Sequence, residues 1–180
     1  MNLANKLTVL RMILVPVFLI SAMINTVPAD VIALIIFIVA SITDKLDGYI
    51  ARSKNQITNF GKFMDPLADK LLVTCALVLL VEKGIIPAWV VVIIISREFV
   101  VSGLRTLAAS QGVVIAASNW GKLKTAIQMV AIIMGLLLSV YSPEWLKIVT
   151  NIAIYLSAVI TVISGIDYFV KSKNVINVKE

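Results

Sequence analysis

The chain contains no histidine. Histidine-based acid–base chemistry, histidine triads and histidine-ligated zinc are therefore excluded. Cysteine is almost absent as well. The single Cys75 lies in an apolar run, which rules out an internal disulfide and marks it as a small buried hydrophobe. Charge is scarce, at 14% of 180 residues, where an ordinary soluble domain carries about a quarter. No internal repeat, soluble domain or low-complexity segment can be found, and the first apolar run is too long, without a small-residue cleavage site, for a cleavable signal.

What the chain has instead is continuous apolar sequence. Hydrophobic residues make up 60% of it and the mean hydropathy is +1.01. In lipid the backbone must satisfy its own hydrogen bonds, which leaves helical bundles or closed barrels. The apolar runs do not alternate, so the expected class is all-α, a polytopic membrane protein. Six spans can be drawn, at about Leu7–Ile24, Val31–Ile50, Phe63–Val81, Pro87–Ala109, Leu123–Val140 and Trp145–Phe169. Each is close to the ~20 residues that a bilayer requires. Residues 1–180 read as a single transmembrane domain.

Basic residues give the expected orientation. With both termini on one side, that side collects fourteen of the sixteen Lys and Arg, leaving only Lys83 and Lys147 towards the other. Such a bias places both termini in the cytoplasm. It also explains the net charge of +6 without nucleic acid, which is not an expected partner. Pro28, Pro87 and Pro143 fall in the outer turns, and Trp89 and Trp145 suit an interfacial belt. Pro16 should bend the first helix.

Against this background, Asp44 to Asp69 is anomalous. Four of the ten acidic residues lie there, as the pairs Asp44/Asp47 and Asp65/Asp69. Asp44 is thirteen residues from Val31 and Asp69 thirteen from Glu82, which puts both ~20 Å from the outer ends at about 1.5 Å per residue. By the same count Asp47 and Asp65 lie ~25 Å in. On antiparallel neighbours the two pairs meet at matched depths. Asp44, Asp47, Gly48 and Ala51 share one helical face, and Gly61, Asp65 and Asp69 another.

Four carboxylates within a bilayer cannot all remain ionised without cations. Lys45 and Lys70 offer ion pairs, but as sequence neighbours of the acids they point partly away from those faces. Hard divalent cations fit an all-oxygen ligand set better, with Mg²⁺, Mn²⁺ or Ca²⁺ favoured. Two such ions would suit phosphoryl transfer. Gly48 and Gly61 admit a base or phosphate to the backbone, or serve close helix packing. Before Pro66 the helical conformation is disfavoured, so the third helix either starts there or is kinked.

A basic cluster accompanies the acids. Arg97 lies near mid-membrane, with Arg105, Lys122 and Lys124 near the cytoplasmic boundary. An arginine in a span is a site candidate. Alternatively Arg97 neutralises Glu98 or an aspartate, and the lysines are positive-inside anchors. Taken together, the four suit a substrate carrying several phosphates.

The spacing Asp44-x2-Asp47-Gly48-x2-Ala51-Arg52-x8-Gly61-x3-Asp65-x3-Asp69 resembles the full signature of the CDP-alcohol phosphotransferases, with no fixed position departing from it. Arg97-Glu98-Phe99, Gly103-Leu104-Arg105, Gly121-Lys122-Leu123-Lys124-Thr125 and Asn5-x2-Thr8-x2-Arg11 look most like the branch that makes phosphatidylglycerophosphate. The resemblance implies six transmembrane helices and a reaction of CDP-diacylglycerol with sn-glycerol 3-phosphate, in a bacterial inner membrane with the site facing the cytoplasm. It implies metal ligands Asp44, Asp47, Asp65 and Asp69 for two Mg²⁺ or Mn²⁺ ions, with Asp69 as general base. Gly48, Arg52, Thr58 and Gly61 would line the CDP-diacylglycerol site, with Asn5 and Thr8 nearby. Arg97, Arg105, Lys122 and Lys124 would bind the acceptor phosphate, and a homodimer is a further implication. Serine, inositol phosphate or a phospholipid are alternative acceptors, of which serine, lacking a phosphate, suits the basic cluster least. A divalent-cation transporter is the alternative of another class, but transport gives no reason for the glycine and arginine spacing.

Overall fold

A computed structural model describes the backbone of residues 3–53, 59–113, 115–116 and 118–172; the side chains of 3–5, 44–53, 59–63, 65 and 66 lie outside the description. Among the described residues it contains six helices and no strand. These are α1 (Leu3–Met23), α2 (Val27–Ser53), α3 (Asn59–Glu82), α4 (Ala88–Ser110), α5 (Asn119–Val140) and α6 (Glu144–Lys171). All six apolar runs are therefore helical. Each helix reaches a little beyond its expected span at one or both ends, because the polar flanks continue the turn.

The breaks between helices have local causes. Asn25 adopts φ 53° between α1 and α2, a left-handed conformation that asparagine tolerates better than most residues. Gly84 at φ 70° turns the chain after α3. Pro87 and Pro143 are extended residues at the N-caps of α4 and α6, where a missing N–H costs nothing because no carbonyl awaits it. Pro16 sits inside α1, which continues past it. α3 starts at Asn59, seven residues before Pro66, so the proline does not begin that helix.

Among the described residues, three helices have stretches long and apolar enough to cross a membrane, namely Lys6–Met23 in α1, α5 and α6. α4 is limited by Arg97, Glu98 and Arg105. Ile20, Ile32, Val92, Ile152 and Ile166 are all more than half exposed. Apolar surface on this scale is what a membrane protein presents to lipid.

The chain divides into two compact units. The first comprises residues 1–85 and 135–142, so it holds α1, α2, α3 and the end of α5. On α1 the buried residues Thr8, Arg11, Val15, Phe18 and Ala22 recur at three-four spacing, the seam of a left-handed helix pair. Ala29, Ala33, Phe37 and Ala40 are buried on α2, and Ala68, Leu72 and Ala76 on α3. Alanines along these stripes let the backbones approach closely, as in membrane helix pairs generally. Phe18 and Phe37 meet with ring centroids 5.9 Å apart, tilted by 49°. Gly135 packs on α3 so closely that a Cβ there would lie 2.8 Å from Leu80 Cδ1. At the end of the unit formed by the turns before α2 and after α3, Lys83 Nζ donates to Asp30 at 2.9 Å and to Asn25 Oδ1 at 3.0 Å.

The second unit comprises residues 86–134 and 143–180. Within it α4 and α6 run in the same direction, since Trp89 stacks on Tyr155 (6.0 Å) and Arg97 meets Ser164 further along both. Val90, Val91, Ile94 and Val101 on α4 are buried, as are Ile154, Ala158 and Thr161 on α6. The groove between them encloses about 380 Å³ and is lined mainly by Val92, Val100, Val162, Ile166 and Phe169, with Arg97 and Thr161 in its wall.

Candidate functional site

The acidic stretch belongs to the first unit, where α2 ends and α3 begins. Asp44, Asp47, Gly48, Arg52, Thr58, Gly61 and Asp65 lie outside the described residues, as does Asn5. Asp69 is described: it is half-buried and has a polar or ionic partner. Among the described residues no three His, Cys, Asp or Glu side chains cluster as a metal site would need.

Thr8 and Arg11 are 0% exposed, and neither is without a partner. An arginine buried so completely needs hydrogen bonds or counter-charge, because its guanidinium cannot lose its proton. From the sequence, Arg11 counts as a positive charge on the cytoplasmic side and as the last position of Asn5-x2-Thr8-x2-Arg11. The signal that marks it is the spacing Thr8-Arg11-Val15-Phe18-Ala22, which places it on the same stripe as the core of α1.

The basic residues belong to the second unit, and the structure sorts them into two kinds. Lys124 is buried and Arg97 partly so, and the two come together on one carboxylate. Arg97 Nη1 donates to Glu98 Oε1 at 3.1 Å, and Lys124 Nζ donates to the same oxygen. Arg97 Nη2 donates to Ser164 Oγ at 2.5 Å, and the guanidinium lies 5.2 Å from the centre of the Tyr168 ring, a cation–π contact. Arg105 and Lys122 are exposed, and neither forms an ion pair among the described residues.

Tyr168 ties this cluster to the start of α5. Its hydroxyl accepts from the Ser118 N–H at 3.3 Å, and its ring lies against Gly121, where a Cβ would stand 3.3 Å from Tyr168 Cε2. Ser118 in turn caps α5, its Oγ accepting from the Gly121 N–H at 3.1 Å. Lys122 and Lys124 follow directly, two positions apart and so on different sides of the helix. That difference explains why one is exposed and the other 3% exposed. Neither Ser164 nor Tyr168 was visible as a site residue in the sequence, being 67 and 71 positions from Arg97 without a motif of their own.

The model of the CDP-alcohol phosphatidyltransferase family matches residues 1–163. The chain belongs to that family. Among its relatives is a Bacillus subtilis (strain 168) protein named "CDP-diacylglycerol--glycerol-3-phosphate 3-phosphatidyltransferase", 44% identical over 184 residues and 95% of each chain. A Haemophilus influenzae protein of the same name is 42% identical over 96% of this chain and 94% of its own. A Mycobacterium tuberculosis protein named "Probable phosphatidylglycerophosphate synthase" is 42% identical over 95% of this chain and 81% of its own. The family match spans the acidic stretch and Arg97, Arg105, Lys122 and Lys124.

Proposed function

We propose that this phosphatidyltransferase moves the phosphatidyl group of CDP-diacylglycerol to sn-glycerol 3-phosphate, giving phosphatidylglycerophosphate and CMP, a step of phospholipid synthesis. The observation that carries this is the identity of 41–44% with relatives named for that reaction, over more than nine-tenths of this chain.

The acidic set is assigned to the nucleotide and metal. The buried stripe of α2, Ala33-Phe37-Ala40, falls next on Asp44, Asp47 and Ala51 when its three-four spacing is carried on in sequence. Carried back from Ala68, the stripe of α3 reaches Asp65 and Gly61. These register positions suit Asp44, Asp47 and Asp65, and a donor set of oxygens alone suits these three with Asp69, four residues beyond Asp65, as ligands of two Mg²⁺ or Mn²⁺ ions. Such ions would neutralise charge on the pyrophosphate as CMP departs. Gly48, Arg52, Thr58 and Gly61 line the CDP-diacylglycerol site, with Asn5 and Thr8 beside it. Asp69 accepts the proton of the attacking glycerol hydroxyl, so that a neutral alcohol becomes a competent nucleophile as the bond to phosphorus forms. Arg97, Arg105, Lys122 and Lys124 supply the positive field for the acceptor's phosphate, which free serine lacks.

The remaining features belong to the same reading. Residues 1–180 act as one domain of six transmembrane helices in a bacterial inner membrane, with both termini and the active site on the cytoplasmic side and a homodimer as the assembly. The acyl tails of the donor then stay in lipid while glycerol 3-phosphate arrives from water. The test supplies purified protein with CDP-diacylglycerol, Mg²⁺ or Mn²⁺ and each acceptor separately, following CMP release. Turnover with glycerol 3-phosphate is expected. Turnover with inositol phosphate, serine or a phospholipid in its place would move the acceptor assignment, and metal uptake into sealed vesicles without CMP would point to transport.

A further inference from the structure

One side chain near the end of α6 touches three parts of the second unit at once. Tyr168 is 4% exposed, and the Arg97 guanidinium of α4 lies over its ring at 5.2 Å. The same ring lies against Gly121 of α5, where a Cβ would stand 3.3 Å from Cε2 and 3.4 Å from the hydroxyl oxygen. Its hydroxyl accepts from the Ser118 N–H at 3.3 Å. Ser118 in turn carries the first turn of α5. Its Oγ accepts from the Gly121 N–H, and its carbonyl accepts from the Lys122 N–H at 3.1 Å. Asp167, the neighbour of Tyr168, accepts from the Ser118 side chain and from Lys171. A tyrosine that only filled space would bury its ring among aliphatic side chains. This one meets a cation and a helix start.

We propose that Tyr168 is a positioning residue for the acceptor's phosphate, holding Arg97 and the start of α5, with Lys122, in one fixed arrangement. The inference rests on the reading that these cations receive a phosphate-bearing acceptor. Long basic side chains lose conformational freedom when they close on an anion, so fixing them beforehand favours binding. A tyrosine suits that task because its rigid ring has few torsions to lose. On one side its face holds the guanidinium by a cation–π contact, while Ser164 takes Arg97 Nη2. On the other side its hydroxyl supplies the acceptor that a buried N–H needs, Ser118 being 7% exposed. The exposed Lys122 hangs by its own N–H from that same residue. Loss of the ring would therefore loosen Arg97 and Lys122 together, and loss of the hydroxyl alone would loosen only the start of α5.

Steady-state kinetics of the full-length protein in detergent test this, with CDP-diacylglycerol and glycerol 3-phosphate varied in turn. Tyr168→Leu should raise the KM for glycerol 3-phosphate at least about tenfold while leaving that for CDP-diacylglycerol within about twofold of the parent's. Tyr168→Phe keeps the ring and should raise the same KM by about threefold to tenfold. Gly121→Ala, whose methyl would press on the ring, should act in the same direction. In the Lys122→Met background, adding Tyr168→Phe should raise the KM no further, since the hydroxyl acts through the segment that carries Lys122. A tyrosine that merely supports the fold behaves differently, lowering the amount of active protein without moving either KM. Such a result, a rise of both KM values together, or a full further rise in K122M/Y168F would overturn the proposal. Should Y168L not survive extraction, Y168F and Gly121→Ala decide, and an unchanged KM for glycerol 3-phosphate in both refutes it. A parent that does not turn over glycerol 3-phosphate rejects the acceptor assignment. A parent that does, beside a Y168L of unchanged KM, rejects the positioning role alone.

Discussion

The two compact units carry their charge in contrasting ways. In the first, the acids recur at helical spacing along the ends of α2 and α3. In the second, two of four basic residues are already joined to an acid within the unit. Like charges at regular spacing in an apolar helix need counter-charge, whereas a mixed cluster can satisfy part of itself. Counting charges from sequence therefore overstates the free charge of the basic cluster. Of Arg97, Arg105, Lys122 and Lys124, only Arg105 and Lys122 are exposed and outside any ion pair among the described residues.

Substitutions can break this contrast or sharpen it. The largest effect is expected from Asp44→Asn or Asp65→Asn, which should lower CMP release by about 10³-fold or more by removing a charge that holds the metals. Turnover that survives either change, measured at saturating Mg²⁺, would take that residue out of the ligand set. Asp69→Asn should abolish turnover to a similar degree while sparing binding of CDP-diacylglycerol, measured by equilibrium binding of the labelled lipid. Equal loss of binding and turnover would make Asp69 chiefly a ligand and not a base.

On the basic side the effect should be smaller and confined to the acceptor. Arg105→Ala is expected to raise the KM for glycerol 3-phosphate about tenfold to a hundredfold, the worth of one or two charge-assisted hydrogen bonds, with kcat much less affected. An unchanged KM would remove Arg105 from phosphate binding and leave the exposed pair without a role. The smallest effect tests packing in the first unit. Gly135→Val would press new atoms against Leu80, itself 0% exposed, and should cost about 1–3 kcal/mol, read as a lower melting temperature in detergent. A melting temperature equal to the parent's would mean that Leu80 can yield, and that the end of α5 is not held tightly on α3.

Much of the fold was legible. Six apolar runs became six helices because each is long, continuous and bounded by Asn, Gly or Pro at positions where their backbone preferences end a helix. The family was legible too, since eight residues at fixed spacing from Asp44 to Asp69 form a local pattern. Less legible were residues whose role depends on what lies across from them. Thr8 and Arg11 share the Asn5-x2-Thr8-x2-Arg11 spacing, and their full burial on the α1 stripe comes only from the packing. Arg97 allowed two readings, phosphate clamp or partner of Glu98, and the Arg97–Glu98 contact is formed. Pro66 allowed a helix start or a kink, and α3 starting at Asn59 removes the start.

By itself, then, the sequence determined an all-helical membrane protein, its family and the acidic signature, because hydrophobic run length and residue spacing along a helix are local quantities. Only the tertiary structure decided that Lys124 is spent on Glu98 while Lys122 two positions away is exposed, and that Ser164 and Tyr168 hold Arg97 from another helix. Ion pairing and burial are set by which helices meet, and contacts between residues nearly 70 positions apart leave no periodic trace in the chain.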